Sequence, residues 1–258
     1  MIDIHKQEDN IFHSYKAKLG LNSEVSSDGL HYLGDFYYLD SFWGRNPGTE
    51  EEKWREYCQN KRGLVILTKD LNDESAWDIR EEHGRKNGCS APTPSIQYAF
   101  YRNLRSWIYG LLNIDKEGNM PLFPNTVIAQ ECFENEPWVR INLKKIPGKS
   151  SIPNSTLQWY ISEFKSLLLE QLSIYKDASI YLDCSRKNGI ALLKELYPDI
   201  TAFGDGSDEW IYYSLNSKKV IINSYHPSYR ALGSPEDYYN RMRDAVKAFF
   251  IKHLNFLI

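Results

Sequence analysis

Leu64-Val65-Ile66-Leu67 is apolar at every position, between Gly63 and Thr68. A strand sends alternate side chains to opposite faces, so a run without polar alternation has both faces buried. That arrangement belongs to a parallel sheet covered by helices on each side. Residues 138–142 and 178–182 read as further strands, and 210–213 with 220–223 reads as a strand pair joined by the turn around Asn216-Ser217. Helical segments lie between them. Residues 10–19 form a short helix. Residues 50–61 follow the capping pattern Thr49-Glu50-Glu51-Glu52, with Gly63 as the stop and the acidic run serving as a helix start. Residues 73–86 are expected to be helical. Residues 95–113 repeat apolar positions at Ile96, Ala99, Phe100, Leu104, Trp107, Ile108 and Leu111. Residues 155–174 and 185–196 are also helical, and Ser234-Pro235-Glu236-Asp237 opens a last helix running to about residue 253. Residues 126–133 have no clear type. This order predicts an α/β fold with a largely parallel sheet.

No repeat, low-complexity tract or linker divides the 258 residues, so one domain is expected over 1–258, with an aromatic-rich extension at 1–48 and a core at 63–250. The stretch 31–43 reads as an aromatic flap or short hairpin. Hydrophobic residues make up 42% of the chain, enough for a substantial core. The formal net charge of −3 argues against a protein that coats nucleic acid, because phosphate binding needs concentrated Lys and Arg; a local basic groove remains compatible with it. Cys58, Cys89, Cys132 and Cys184 are dispersed, which disfavours a disulfide framework or a zinc site. No apolar run approaches the roughly 20 residues of a membrane span, and residues 1–6 lack the character of a signal peptide. A cytoplasmic chain with reduced thiols is expected, without metal or other cofactor.

Three strands end on residues suited to gripping a base. The first runs into Thr68-Lys69-Asp70-Leu71-Asn72, the second ends at Asn142 before Leu143-Lys144-Lys145-Ile146-Pro147, and the last runs into His226-Pro227-Ser228-Tyr229-Arg230. Ligands of open parallel sheets bind past the carboxyl ends of the strands. A carboxylate, a carboxamide and an imidazole are thus brought to one crevice. Each also has a structural reading. Asp70-Leu71-Asn72-Asp73 is good capping chemistry, Asn142 suits a strand-end turn, and His226 suits a loop bonded to backbone.

These motifs, in this order, resemble the uracil-DNA glycosylase superfamily over residues 63–250. In that family the first motif reads G-Q-D-P-Y or G-E-A-P-G, and Asp70 matches the aspartate of the first form. The second is an Asn at a strand end, followed in some branches by Lys and Pro, matched here by Asn142 and Lys144-Lys145-Ile146-Pro147. The third is H-P-S, matched letter for letter by His226-Pro227-Ser228. The chain departs at Thr68 and Leu71, where the family carries Gly and Pro, and at Asp183-Cys184, where many members carry small residues. It also lacks the clustered cysteines of the iron–sulfur branches.

The resemblance implies a three-layer α/β/α sandwich around a central, mainly parallel four-stranded sheet. It also implies a DNA glycosylase that hydrolyses the N-glycosidic bond of uracil or a related deaminated base, working as a monomer on single- or double-stranded DNA. Asp70 would position the water, His226 would stabilise the base anion, and Asn142 would read the base edge. Phe100 would stack on the extruded base, with Tyr101 or Phe36 as substitutes, beside Thr68 and Lys69. Ser228, Tyr229, Arg230, Lys144, Lys145 and Lys149 would meet the DNA backbone. Two other readings stand beside this one: an inactive nucleic-acid or nucleotide binding protein of the same fold, and a metal-dependent nucleotide hydrolase using Asp70 and Asp183.

Overall fold

The computed structural model of the chain describes residues 3–20, 22–33, 49–70, 75–81, 99–148, 152–204, 210–229 and 233–256. In chain order its elements are α1 (Ile4–Leu19), β1 (Gly29–Leu30), α2 (Thr49–Gln59), β2 (Leu64–Thr68), α3 (Ala99–Leu112), α4 (Thr126–Asn135) and β3 (Val139–Asn142). They continue with α5 (Asn154–Glu163), α6 (Lys165–Ile174), β4 (Ile180–Asp183), α7 (Asn188–Leu196), β5 (Thr201–Phe203), β6 (Ile211–Ser214), β7 (Lys219–Asn223) and α8 (Pro235–Lys252).

Among the described residues the sheet has seven strands in the order β1-β3-β2-β4-β7-β6-β5, not the four expected. Its centre, β3-β2-β4-β7, is parallel throughout. The additions are antiparallel: β1 pairs with β3 at one edge, and β6 and β5 extend from β7 at the other. β1 and β5 span two and three residues, too short to leave a period in the sequence.

Alternation in β2 divides the core. Leu64 and Ile66 enter an apolar cluster with Leu104, Trp107 and Leu111 of α3, Phe133 of α4 and Phe249 of α8. Val65 and Leu67 enter a second cluster with Trp54 of α2, Leu157 of α5, Leu168 of α6 and Leu193 of α7. All five β2 residues are buried, as the unbroken apolar run requires.

Several local expectations change. The helix read as 155–174 breaks at Phe164, whose ring is buried against Tyr15 and Tyr160, so two ten-residue helices result. α2 is stopped by Lys61 in the left-handed region (φ 60°), ahead of Gly63. The described part of 73–86 is not an α-helix: Ser27 bridges to Asp78, and Ile79–Glu81 makes one 3-10 turn. Arg80 decides this, because its buried guanidinium is held by Asp78, Glu8 and Asp9. α1 begins six residues earlier than expected, at Ile4. The reason is Glu51, whose carboxylate accepts the free N–H groups of Ile4 and His5. Glu50 binds His5 Nε2 at 2.8 Å, so the acidic run ties two helices together as well as starting one. The last helix opens at Ser234-Pro235 as expected, and Asp237 closes a capping box with Ser234.

Candidate functional site

In the parallel centre, the chain passes from β2 to β3 on one side and then to β4 on the other. Such a reversal of direction opens a crevice at the carboxyl ends of the strands. The Lys69-Asp70 segment leaves β2 there, and the Ser185-Arg186 turn leaves β4 there.

Thr68 and Asn142 are neighbours in register and both are fully buried. The Thr68 hydroxyl donates to Asn142 Oδ1 and accepts from Arg140 Nε at 3.4 Å. Asn142 Nδ2 is buried with no hydrogen-bond partner. A donor pair without an acceptor in a dry site carries a desolvation cost that a ligand acceptor would relieve. The Asn142 backbone N–H donates to Asp28 Oδ2 at 2.8 Å. Asp28 is itself buried and also accepts from Lys145 Nζ at 2.6 and 2.7 Å and from Gln171 Nε2 at 2.8 Å.

Arg140 is 3% exposed on the same sheet face as Asn142. Its guanidinium carbon lies 4.7 Å from the Phe100 ring centroid, and Phe100 lies 5.7 Å from the His226 ring. The ring expected to stack on a base is thus already packed against a guanidinium.

His226 follows β7 by three residues. The Ser228 backbone N–H donates to His226 Nδ1 at 3.3 Å, so Nδ1 accepts and the neutral ring carries its proton on Nε2. Burial, reinforced by the charges of Lys69, Arg140 and Arg186, pushes the imidazole down to about 4. At neutral pH it is an uncharged donor. The following turn is fixed by Asn103 Nδ2, which donates to Pro227 O at 2.6 Å, and by Tyr229 N–H to His226 O at 2.8 Å.

Asp70 is nearly buried, 3.7 Å from Lys144 Nζ. Burial raises its carboxyl above the ordinary range against the opposing pull of Lys144, Lys69 and Arg140. Lys69 is lowered by burial and by Arg186. Asp70 and His226 therefore feel the same two cations, Lys69 and Arg140. Asn142 joins them through Thr68 and Arg140.

Other expected site residues stand elsewhere. Lys145 is buried in its pair with Asp28 and is not presented to phosphate. Lys144 is also turned inward, donating to Ile146 O and Pro147 O. Ser228 and Tyr229 are exposed, and Tyr229 stacks on Tyr225 at 5.1 Å and 9°. Arg230, Lys149, Phe36, Leu71, Asn72 and Cys89 lie outside the described residues. Asp183 does not face Asp70 as a second free carboxylate. Its Oδ1 takes the N–H and hydroxyl of Ser185, and its Oδ2 takes the N–H of Ile190, which shapes the turn into α7.

Arg140, Arg186, Asp28 and Asn103 were not singled out in the sequence. Arg140 leaves a trace there, as a lone charge in an apolar strand that must find partners once buried. Arg186 and Lys187 both adopt left-handed backbone (φ 61° and 66°), which no residue type at those positions announces. Asp28 has partners 117 and 143 residues away and no local signature. Among the described residues no cluster of His, Cys, Asp and Glu suited to a metal ion occurs, and no helix is long and apolar enough to cross a membrane. Two cavities of about 480 and 600 Å³ open near the start of the strands, around Lys61, and involve none of these groups. Comparison with protein-family models, with curated proteins and with solved structures finds no match.

Proposed function

We propose that the chain is a base-excising DNA glycosylase of the uracil type, built as one three-layer α/β/α domain and independent of metal. The observation that carries this reading is the meeting of three unlike groups near Arg140: the Asp70 carboxyl and the neutral His226 imidazole, which both feel Lys69 and Arg140, and the unpartnered carboxamide nitrogen of Asn142, which reaches Arg140 through Thr68.

Hydrolysis of an N-glycosidic bond breaks the bond from C1′ to the base nitrogen. The bonding pair leaves with the base as an anion, and the sugar gains cationic character. Water then bonds to C1′, and its proton passes by way of the Asp70 carboxylate to solvent, which balances the base that left as an anion. Asp70 orients that water and offsets the positive sugar. His226 Nε2–H donates to the base oxygen on which negative charge develops, and a fixed donor in a dry site is effective there. Asn142 Nδ2 donates to an acceptor on the base edge. The cations Lys69, Arg140 and Arg186 favour both the anionic leaving group and the DNA backbone. With Lys145 committed to Asp28, the backbone contact falls to a small patch including Ser228 and Tyr229. Binding then weakens with salt by only a few phosphate equivalents.

The test is release of free uracil from single- and double-stranded oligonucleotides with EDTA present. Wild type releases the base, and Asp70→Asn and His226→Ala each lose about a hundredfold or more in rate. Binding without release supports the non-catalytic reading of the same site, and neither binding nor release removes nucleic acid altogether.

A further inference from the structure

Thr68 is fully buried, and its hydroxyl is taken up by Asn142 and Arg140 instead of being left open to a ligand. Its position is nevertheless specific. It lies beside Asn142 in the parallel register, and its carbonyl accepts the N–H of Leu143 at 2.9 Å, which locks the two strand ends together. Arg140 Nε–H can only donate, so it occupies a lone pair of the Thr68 hydroxyl. The hydroxyl hydrogen is then directed to Asn142 Oδ1. With the carboxamide turned over, Nδ2 would meet the hydroxyl and the Thr68 hydrogen would lose its acceptor. The chain of donors from Arg140 through Thr68 thus sets which end of the amide stays unpartnered, and that end is the nitrogen. Asp28 holds the Asn142 backbone from the other side.

We propose that Thr68 is a positioning residue of the candidate site: its hydroxyl, aimed by Arg140, fixes the Asn142 carboxamide so that a ring in the site meets the amide nitrogen. This rests on the glycosylase reading for its substrate. It explains why a hydroxyl-bearing residue closes β2 in this chain. It also adds a consequence: the site accepts a base edge carrying a carbonyl oxygen and disfavours one carrying an amino group, which would face Nδ2 donor to donor.

Two measurements on Thr68→Val and Thr68→Ser test it. The first is the ¹⁵N order parameter of the Asn142 side-chain amide in the free protein, which needs no substrate. Wild type and Thr68→Ser hold the amide as rigid as the surrounding backbone, and Thr68→Val lets it reorient. If Thr68→Val fails to fold, Thr68→Ala takes its place. The second is the ratio of uracil to cytosine release. It falls about tenfold in Thr68→Val and is largely restored in Thr68→Ser. An Asn142 amide as ordered in Thr68→Val as in wild type overturns the proposal. So does equal loss of the ratio in the Ser and Val variants. If wild type releases no base, the glycosylase reading fails on its own, and the order parameter still decides the role of Thr68.

Discussion

Lys145 provides the sharpest contrast between a surface reading and a buried one. In the structure its ammonium is enclosed and bonds both oxygens of Asp28 at 2.6 and 2.7 Å. The remaining partners of that carboxylate, Gln171 Nε2 and the Asn142 N–H, are neutral. Lys145→Met keeps the length of the side chain and removes the charge, leaving a carboxylate at 0% exposure without its cation. Breaking one side of a buried pair costs about 3–5 kcal/mol. For a chain of this size about 2–4 °C is lost per kcal/mol, so the midpoint of thermal unfolding drops by roughly 6–20 °C. Asp28→Asn combined with Lys145→Met removes the orphaned charge and recovers at least half of the loss. Differential scanning calorimetry of the two variants beside wild type measures both numbers. A Lys145→Met protein within about 1 kcal/mol of wild type, whose oligonucleotide affinity has lost about one unit of salt slope, would refute the buried assignment and return Lys145 to the phosphate backbone.

Two further outcomes follow from other buried positions. His5 lies between Glu50 and Glu8; burial opposes its charge, but the bonds to those carboxylates prevail and raise it to about 9. Its stabilisation is complete below the unfolded value near 6.5 and is lost as pH rises through 9, by at most about 1.4 kcal/mol per pH unit. Urea midpoints taken between pH 6 and 9.5 fall accordingly, and His5→Gln lacks that slope; a flat wild-type profile contradicts the charged imidazole. Gly189 packs so closely that an added Cβ would lie 2.5 Å from Leu67 Cδ1 and 2.9 Å from Asp183 Oδ1. Gly189→Ala therefore destabilises by about 1–3 kcal/mol in urea denaturation, and an unchanged midpoint would mean that the α7 turn yields freely.

The parallel centre was legible because burial on both faces leaves no polar alternation, as in Leu64-Val65-Ile66-Leu67. The hairpin of β6 and β7 and the helix start at Ser234-Pro235 are local features, and the sequence carries both. What escaped notice is set by distant partners. β1 exists because Gly29 and Leu30 pair with β3 and because Glu8 and the Tyr175 hydroxyl meet the Leu30 N–H. Nothing near residue 30 carries that information. The lysines after Asn142 are expected at the DNA backbone because sequence shows charge but not direction, and Asp28 turns one of them, Lys145, inward. At the site, Thr68, Asp70, Asn142 and His226 stood out because each ends or follows a strand. Arg140 and Arg186, which set the charge around them, lie inside a strand and in an unusual turn.

Single-turnover release of uracil as a function of pH tests the proposed chemistry most directly. With Asp70 required as the carboxylate and its carboxyl raised by burial, the rate climbs with pH through a limb above the ordinary carboxylate range. His226 stays neutral above about 4 and adds no limb near 6.5. A profile of that shape, lost in Asp70→Asn, is the expected result. No release at any pH, or a limb near 6.5 that disappears in His226→Ala, would contradict the account.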